Sequence, residues 1–478
     1  MDSHEFRRHG HSLVEWIADY LEHSDRYPVL SRVAPGDLTR ALPSHAPERP
    51  EPFDDVIRDF ERLIVPALTH WNHPGFMGYF ATSSSPPAVL AEFLAAAINQ
   101  QAMLWRTSPA ATELESVTLD WLRDLMGLPP AFDGVIYDTA SMSTLHALAA
   151  AREAAVDGVR AQGLPGRMDI GPLRVYCSDQ AHSSVDKAVI LLGLGHDGLC
   201  RVPSDADFRM SVPALREAIA RDRAAGVTPV AVVATLGTTS TTSVDPVEEI
   251  AGVCEREGLW LHADAAYAGV AATIDSLRPH FAGWERADSI VVNPHKWLFV
   301  PVDLSAFYTR RMDVLRQAFT LVPEFLRTAE GTAGVHNLMD TGVQLGRRFR
   351  ALKLWMVLRA YGAEGVRTTL AEHMRLARLF AGWVDAEPSF ERLAPVPFSV
   401  VCFRAVPPGM PAEDVDAFNE RLLEAVNASG DVFLSHTRLN GALALRLAVG
   451  QMRTAEANVS RAWQLLRQLA AQGRATAG

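Results

Sequence analysis

The sequence predicts an α/β fold: a mostly parallel central sheet covered by helices, with an N-terminal helical segment and a small C-terminal αβ domain. Three observations predict it. From about Gly134 short β-branched runs alternate with helix-length segments, the rhythm of a parallel sheet whose crossovers are helices. Hydrophobic residues make up 48% and charged residues 21%, a balance that fills a core and argues against disorder. The 478 residues give room for roughly two to three domains.

Taken in order, residues 1–85 read as the helical segment, 86–360 as the large domain and 361–478 as the small one. Leu13, Ile17 and Leu21 share one helical stripe, widened by Trp16 and Tyr20. A stripe this early, with the proline-rich connector Pro43 to Pro52 behind it, suits packing on another subunit. The strand candidates are Val135–Tyr137, Arg174–Cys177, Val230–Ala234, Leu259–His262, Ser289–Val292 and Leu304–Tyr308. Ser143–Ala155, Val212–Arg223 and Pro246–Glu257 suit helices between them. After Arg347 the pattern turns helical, with Leu352, Leu354, Trp355 and Leu358 as core candidates. The small domain includes the runs Phe398–Phe403 and Ala444–Val449.

Charge excludes several classes of partner. Forty-five basic residues against 56 acidic ones leave −11, which disfavours nucleic acid and anionic membranes. No apolar run approaches the ~18–20 residues that span a bilayer, and the polar start lacks a signal core. A cytoplasmic protein is expected. Cys177, Cys200, Cys254 and Cys402 lie far apart without a CxxC pair, so neither disulfides nor a zinc knuckle is indicated. Only Lys187, Lys296 and Lys353 are lysines. Arginine stays protonated, whereas a desolvated lysine can act as an amine nucleophile.

The chemistry-bearing residues cluster at strand ends. Lys296, in Asn293-Pro294-His295-Lys296-Trp297, sits past a strand and before an apolar run, where poor solvation lowers an ammonium pKa. Its plain reading is a surface lysine. Asp264 closes the run Leu259–Ala263; it suits a partner for a pyridinium nitrogen or a helix N-cap. Asp138-Thr139-Ala140-Ser141 joins a strand to a helix, an anion cradle or an ordinary cap. His182 follows another strand, as does Thr239 in Thr235-Leu236-Gly237-Thr238-Thr239. An amine, a carboxylate, an anion cradle and an imidazole on one sheet edge are what binding pyridoxal phosphate requires. Two other readings stay open: a metal hydrolase using His262, Asp264 and His295, and a non-catalytic binding protein.

Ser178-Asp179-Gln180-Ala181-His182-Ser183-Ser184, His262-Ala263-Asp264-Ala265-Ala266-Tyr267 and Asn293-Pro294-His295-Lys296-Trp297-Leu298 resemble the signatures of the group II pyridoxal-phosphate-dependent decarboxylases. Within that group they are similar to the aromatic-L-amino-acid decarboxylases. The likeness extends to His70-Trp71, Tyr79-Phe80, Thr112-Glu113-Leu114-Glu115, Leu345-Gly346-Arg347-Arg348-Phe349-Arg350 and Leu445-Arg446-Leu447-Ala448. It implies fold-type I, with residues 86–360 as the cofactor-binding domain. It also implies decarboxylation of aromatic L-amino acids to arylalkylamines and an obligate homodimer that uses residues 1–85 for dimerisation.

Carried over by motif, Lys296 would hold the cofactor covalently, Asp264 would pair with its ring nitrogen and His182 would stack on the ring. Thr139, Ala140, Ser141, Asn293 and His295 would surround the phosphate, with Thr239 and Ala266 beside the ring. Trp71, Tyr79, Phe80 and Thr82 would line the substrate pocket, joined by Gln101 and Met103 of a second copy and by Gly346, whose place is serine in many plant tyrosine-type members. Arg446 would be a carboxylate or structural partner. Two departures stand out. Asp138 occupies a place that is usually glycine in the phosphate turn. With one deletion allowed, the loop tyrosine thought to protonate the substrate carbon falls on Leu338, which has no proton to give. His336 could replace it. A missing donor would instead favour oxidative deamination to an aromatic acetaldehyde, ammonia and peroxide.

Overall fold

A computed structural model describes residues 1–321 and 337–475. Contacts divide the chain into two units, each discontinuous in sequence. The larger comprises Thr82–Arg375 and Ala394–Val400, the smaller Met1–Ala81, Leu376–Leu393 and Val401–Gly478.

The larger unit is built on seven strands: β1 (Asp133–Tyr137), β2 (Leu173–Ser178), β3 (Leu199–Val202), β4 (Thr228–Thr235), β5 (Trp260–Asp264), β6 (Ser289–Val292) and β7 (Ser305–Thr309). Their spatial order is β1-β7-β6-β5-β4-β2-β3. β2 pairs in parallel with β3 and β4, and β4, β5 and β6 continue the parallel run. β7 runs antiparallel to both neighbours, β6 and β1. The link from β6 to β7 holds only the four-residue helix Pro294–Trp297, too short for a helical crossover, so the chain returns beside itself. The expected α/β sheet is present, with β7 as its antiparallel member.

β4 and β5 are buried on both faces almost throughout, which is why they read as continuous apolar runs. Helix Ala140–Ala155 presents Ala147, Leu148, Ala150 and Ala151 to Val135, Val175 and Val233. Its alanines let the helix approach the sheet closely. The sequence reading missed β3. It is a four-residue edge strand whose second half alternates exposed Arg201 with buried Val202, too short to show a period.

In the smaller unit, helix Ser3–Glu22 starts with a capping box: Asp2 accepts from the backbone of His4 and Glu5, and Glu5 accepts from that of Asp2. The predicted stripe is real but only half-covered within one chain; Trp16 stacks on Tyr20 at 5.4 Å and meets Phe60 edge-on at 5.2 Å. A second sheet has the order β10-β11-β9-β8, from β8 (Phe390–Arg392), β9 (Val400–Ala405), β10 (Ser435–Leu439) and β11 (Ala442–Ala448). β10 and β11 are joined by Asn440-Gly441, both at positive φ (50° and 84°), the residues a tight hairpin turn requires. Among the described residues no helix is long and apolar enough to cross a membrane.

Candidate active site

Because β1, β2, β4, β5 and β6 run in the same direction, their carboxyl ends share one edge of the large sheet, where such folds bind ligands. Thr235 pairs with Asp264 and Asp264 with Val291, so β4, β5 and β6 end level. The segments just beyond these five strands carry Thr139–Ser141, His182, Thr239, Ala266 and Asn293–Lys296. The sheet therefore gathers the predicted amine, carboxylate, imidazole and hydroxyls along one edge. Gly237 makes the exit from β4 possible: its φ is +100°, and a Cβ there would lie 2.8 Å from that of Ala268.

Lys296 is half-buried on the short helix Pro294–Trp297. That helix is anchored by Trp297, fully buried, which stacks on Tyr267 at 4.8 Å and donates to His373 at 3.0 Å. Asp264 is 5% exposed. Its Oδ1 accepts from the backbone of Ala266 at 3.1 Å. Asn293 is buried with its side-chain oxygen unpartnered. A buried polar atom without a partner is costly, and this one belongs to the segment that carries Lys296.

The imidazoles are tuned to be neutral. His182 is exposed on one side, and its Nδ1 accepts from the backbone of Ser184 at 3.1 Å, which leaves the ring proton on Nε2. Desolvation lowers its pKa, Asp264 raises it and Lys296 lowers it, so both groups lie close enough to act on it. His295 accepts from the backbone of Leu304 at 2.9 Å; burial, helped by Lys296 and Lys353, pushes it down to about 4. His262 is fully buried, contacts Ser289 at 2.9 Å and is pushed down to about 4 by burial.

Helix Ala140–Ala155 begins at the anion cradle. No side chain caps it, and the backbone N–H groups of Ala140 and Ser141 donate to nothing among the described residues. Ser141 is exposed and Thr139 half-buried.

The remaining predicted residues lie elsewhere. In the larger unit Gln101 accepts from the backbone of Arg347 at 2.5 Å, and the bare Cα of Gly346 faces Gln101. Met103 packs on Leu104 and Met339, and Thr82 is half-buried. Leu338 is 5% exposed in the turn Leu338–Thr341, a packing position within its own chain. His336 lies outside the described residues. In the smaller unit Arg446 is buried, donates to the carbonyl of Tyr79 at 2.5 Å and lies 4.7 Å over the ring of Phe80. It fastens the Tyr79-Phe80 segment. Trp71 stacks at 6.0 Å on Tyr79, and both are exposed.

Sequence reasoning missed a buried lock. Arg347 pairs with Glu115 at 2.7 Å and donates to the carbonyls of Ala102 and Ile136 at 3.2 and 2.7 Å. Both residues stood in quoted motifs; neither spacing hinted that they meet. Among the described residues no group of three His, Cys, Asp or Glu side chains is arranged to hold a metal ion.

The pyridoxal-dependent decarboxylase conserved domain matches residues 35–406. The chain belongs to this family. It is a pyridoxal-phosphate-dependent amino-acid decarboxylase. It is 40% identical to phenylacetaldehyde synthase of Arabidopsis thaliana over 98% of this chain and 96% of that protein. It is 41% identical to aromatic-L-amino-acid decarboxylase of Rattus norvegicus over 98% of each. The crystal structure of Oryza sativa TDC with PLP and tryptamine superposes with a TM-score of 0.95, at 36% identity over 99% of both chains. Membership sets aside the metal-hydrolase and binding-protein readings. The decarboxylase's residues also fit the cofactor on their own terms. A lysine, a buried carboxylate and a helix start with unused N–H donors match its aldehyde, its ring nitrogen and its phosphate.

Proposed function

We propose that the decarboxylase acts on aromatic L-amino acids of the phenylalanine, tyrosine, dihydroxyphenylalanine or tryptophan type, releasing carbon dioxide and the arylalkylamine. The observation that carries this reading is the 41% identity to an aromatic-L-amino-acid decarboxylase over 98% of each chain, and the exposed rings of Trp71 and Tyr79 suit such substrates. Flat apolar side chains pack well on such rings.

When bound, pyridoxal phosphate supplies an aldehyde for an amine and a ring that withdraws electrons from the bond being broken. The roles assigned to this chain are as follows. Lys296 provides the amine that holds the cofactor. Asp264 would pair with the ring nitrogen and keep it protonated. His182, with its proton on Nε2, would stack on the ring and hold a proton available to the substrate carbon. Thr139, Ala140, Ser141, Asn293 and His295 receive the phosphate, and Thr239 and Ala266 border the ring. A second copy completes the assembly: helix Pro86–Ile98 leaves Leu90, Phe93, Leu94 and Ile98 at least 44% exposed on one face, an apolar stripe of the kind that subunits cover.

A second product is favoured by one observation: no tyrosine stands between Tyr308 and Tyr361. The stretch between them therefore holds no phenol to protonate the substrate carbon. That favours an aromatic acetaldehyde, ammonia and peroxide, with dioxygen consumed, and similarity to a phenylacetaldehyde synthase points the same way. One assay that follows amine, ammonia, peroxide and dioxygen decides between them. Amine without oxygen uptake establishes the first reading; peroxide in step with carbon dioxide replaces it with the second. No turnover of any aromatic amino acid would defeat both.

A further inference from the structure

Asp138 puts a negative charge where the cofactor phosphate is expected. Its Oδ1 accepts from the backbone N–H of Thr139 at 2.6 Å and from the Thr139 hydroxyl at 3.1 Å. It thereby engages two donors of the cradle that Ala140 and Ser141 continue. Its Oδ2 accepts from the side-chain amide of Gln344 at 3.1 Å.

Gln344 is itself held, because the residues around it are tied to the same strand and helix. Tyr137 donates to the carbonyl of Thr341, the backbone of Val343 donates to His146 at 3.2 Å, and Arg347 donates to the carbonyl of Ile136 at 2.7 Å. A carboxylate on an unrestrained turn would rotate away from an incoming anion. This one is pinned.

We propose that Asp138, fixed in place by Gln344, sets how tightly the cofactor phosphate is held, opposing its charge and making the cofactor exchangeable. The inference rests on Thr139, Ala140 and Ser141 being the phosphate cradle. Two like charges a few ångströms apart at a partly solvated surface repel enough to change affinity about tenfold. The repulsion is screened by salt.

The test titrates the full chain, stripped of cofactor, with pyridoxal phosphate and separately with pyridoxal, which lacks the phosphate. Asp138→Asn keeps the size of the side chain and its contact with Thr139, lets Gln344 turn its amide oxygen toward the new NH2, and removes the charge. It is expected to tighten pyridoxal phosphate binding about tenfold and to leave pyridoxal unchanged, the gain shrinking as salt is raised. Asp138→Gly, a second way to remove the charge, is expected to show the same selectivity for the phosphate. Unchanged or weaker pyridoxal phosphate binding in both variants overturns the proposal, and so does an equal gain for pyridoxal. Thr139→Val separates the proposal from its foundation: if pyridoxal phosphate binding is indifferent to that change, the cradle assignment itself is wrong.

Discussion

Asp264 and Asn419 are both buried polar residues, one at the end of a strand in the large sheet, the other on a helix against the small one. Their surroundings differ. Asn419 is fully buried and completely matched: it accepts from the backbone of Ala405 and donates to the carbonyls of Ala405 and Val415, each at 2.8 Å. It stitches helix Val415–Ala428 to β9. Asp264 accepts one side-chain hydrogen bond, from the backbone of Ala266, and nearby Asn293 and His262 each hold an unpartnered atom. Polar groups that a fold satisfies completely are structural, whereas those it leaves unsatisfied in a gathered set are reserved for chemistry. Topology explains where the set arises. Parallel strands bring their carboxyl ends to one edge, and antiparallel hairpins such as β10–β11 alternate theirs.

The comparison can be broken most forcefully at Lys296. Lys296→Ala is expected to abolish turnover together with the visible absorbance of the bound cofactor while thermal unfolding stays near that of the parent; measurable turnover would remove Lys296 from the chemistry. Asp264→Asn keeps the contact with Ala266 and removes the charge. Its rate should fall by several orders of magnitude while its stability changes by less than ~1 kcal/mol, and near-parental kinetics would refute the role given to its charge.

Acid provides a test that ranks the two units. His146, His262 and His295 in the larger unit and His73 in the smaller are each lowered to about 4, chiefly by burial. The unfolded chain protonates these rings near their ordinary value of 6.5, the folded chain only near 4. Stability is therefore lost as pH falls through that window, by up to ~1.4 kcal/mol per pH unit for each histidine. Hydrogen exchange followed from pH 7 to 4 should show the larger unit losing protection more steeply than the smaller. Equal slopes would contradict it. The smallest effect is expected at Asn419: Asn419→Ala should cost roughly 1–3 kcal/mol in denaturant unfolding without moving cofactor affinity, and a change in that affinity would erase the distinction drawn above.

Six of the seven strands of the large sheet were legible because burial on both faces writes an unbroken apolar run; β3, an edge strand carrying Arg201, wrote none. Lys296 was legible because lysine is so rare in this chain. Asp264 and His182 were legible only as members of a set at strand ends. The locks were not legible at all. Asp138 meets Gln344 across 206 residues and Arg347 meets Glu115 across 232, and no local period or spacing encodes such pairs. Arg446 was reached through the motif Leu445-Arg446-Leu447-Ala448, but its contacts with Tyr79 and Phe80 belong to the tertiary structure alone.

Lys353, 2% exposed and bonded to Glu92 at 2.5 Å and to the carbonyl of Pro301 at 3.0 Å, is sealed from reagents. With only two other lysines in the chain, acylating or reductively alkylating reagents find Lys187, Lys296 and the α-amine and little else. Bound cofactor would mask one of those three. The decarboxylase is thus suited to amine-directed labelling, in which protection of a single peptide reports cofactor occupancy molecule by molecule.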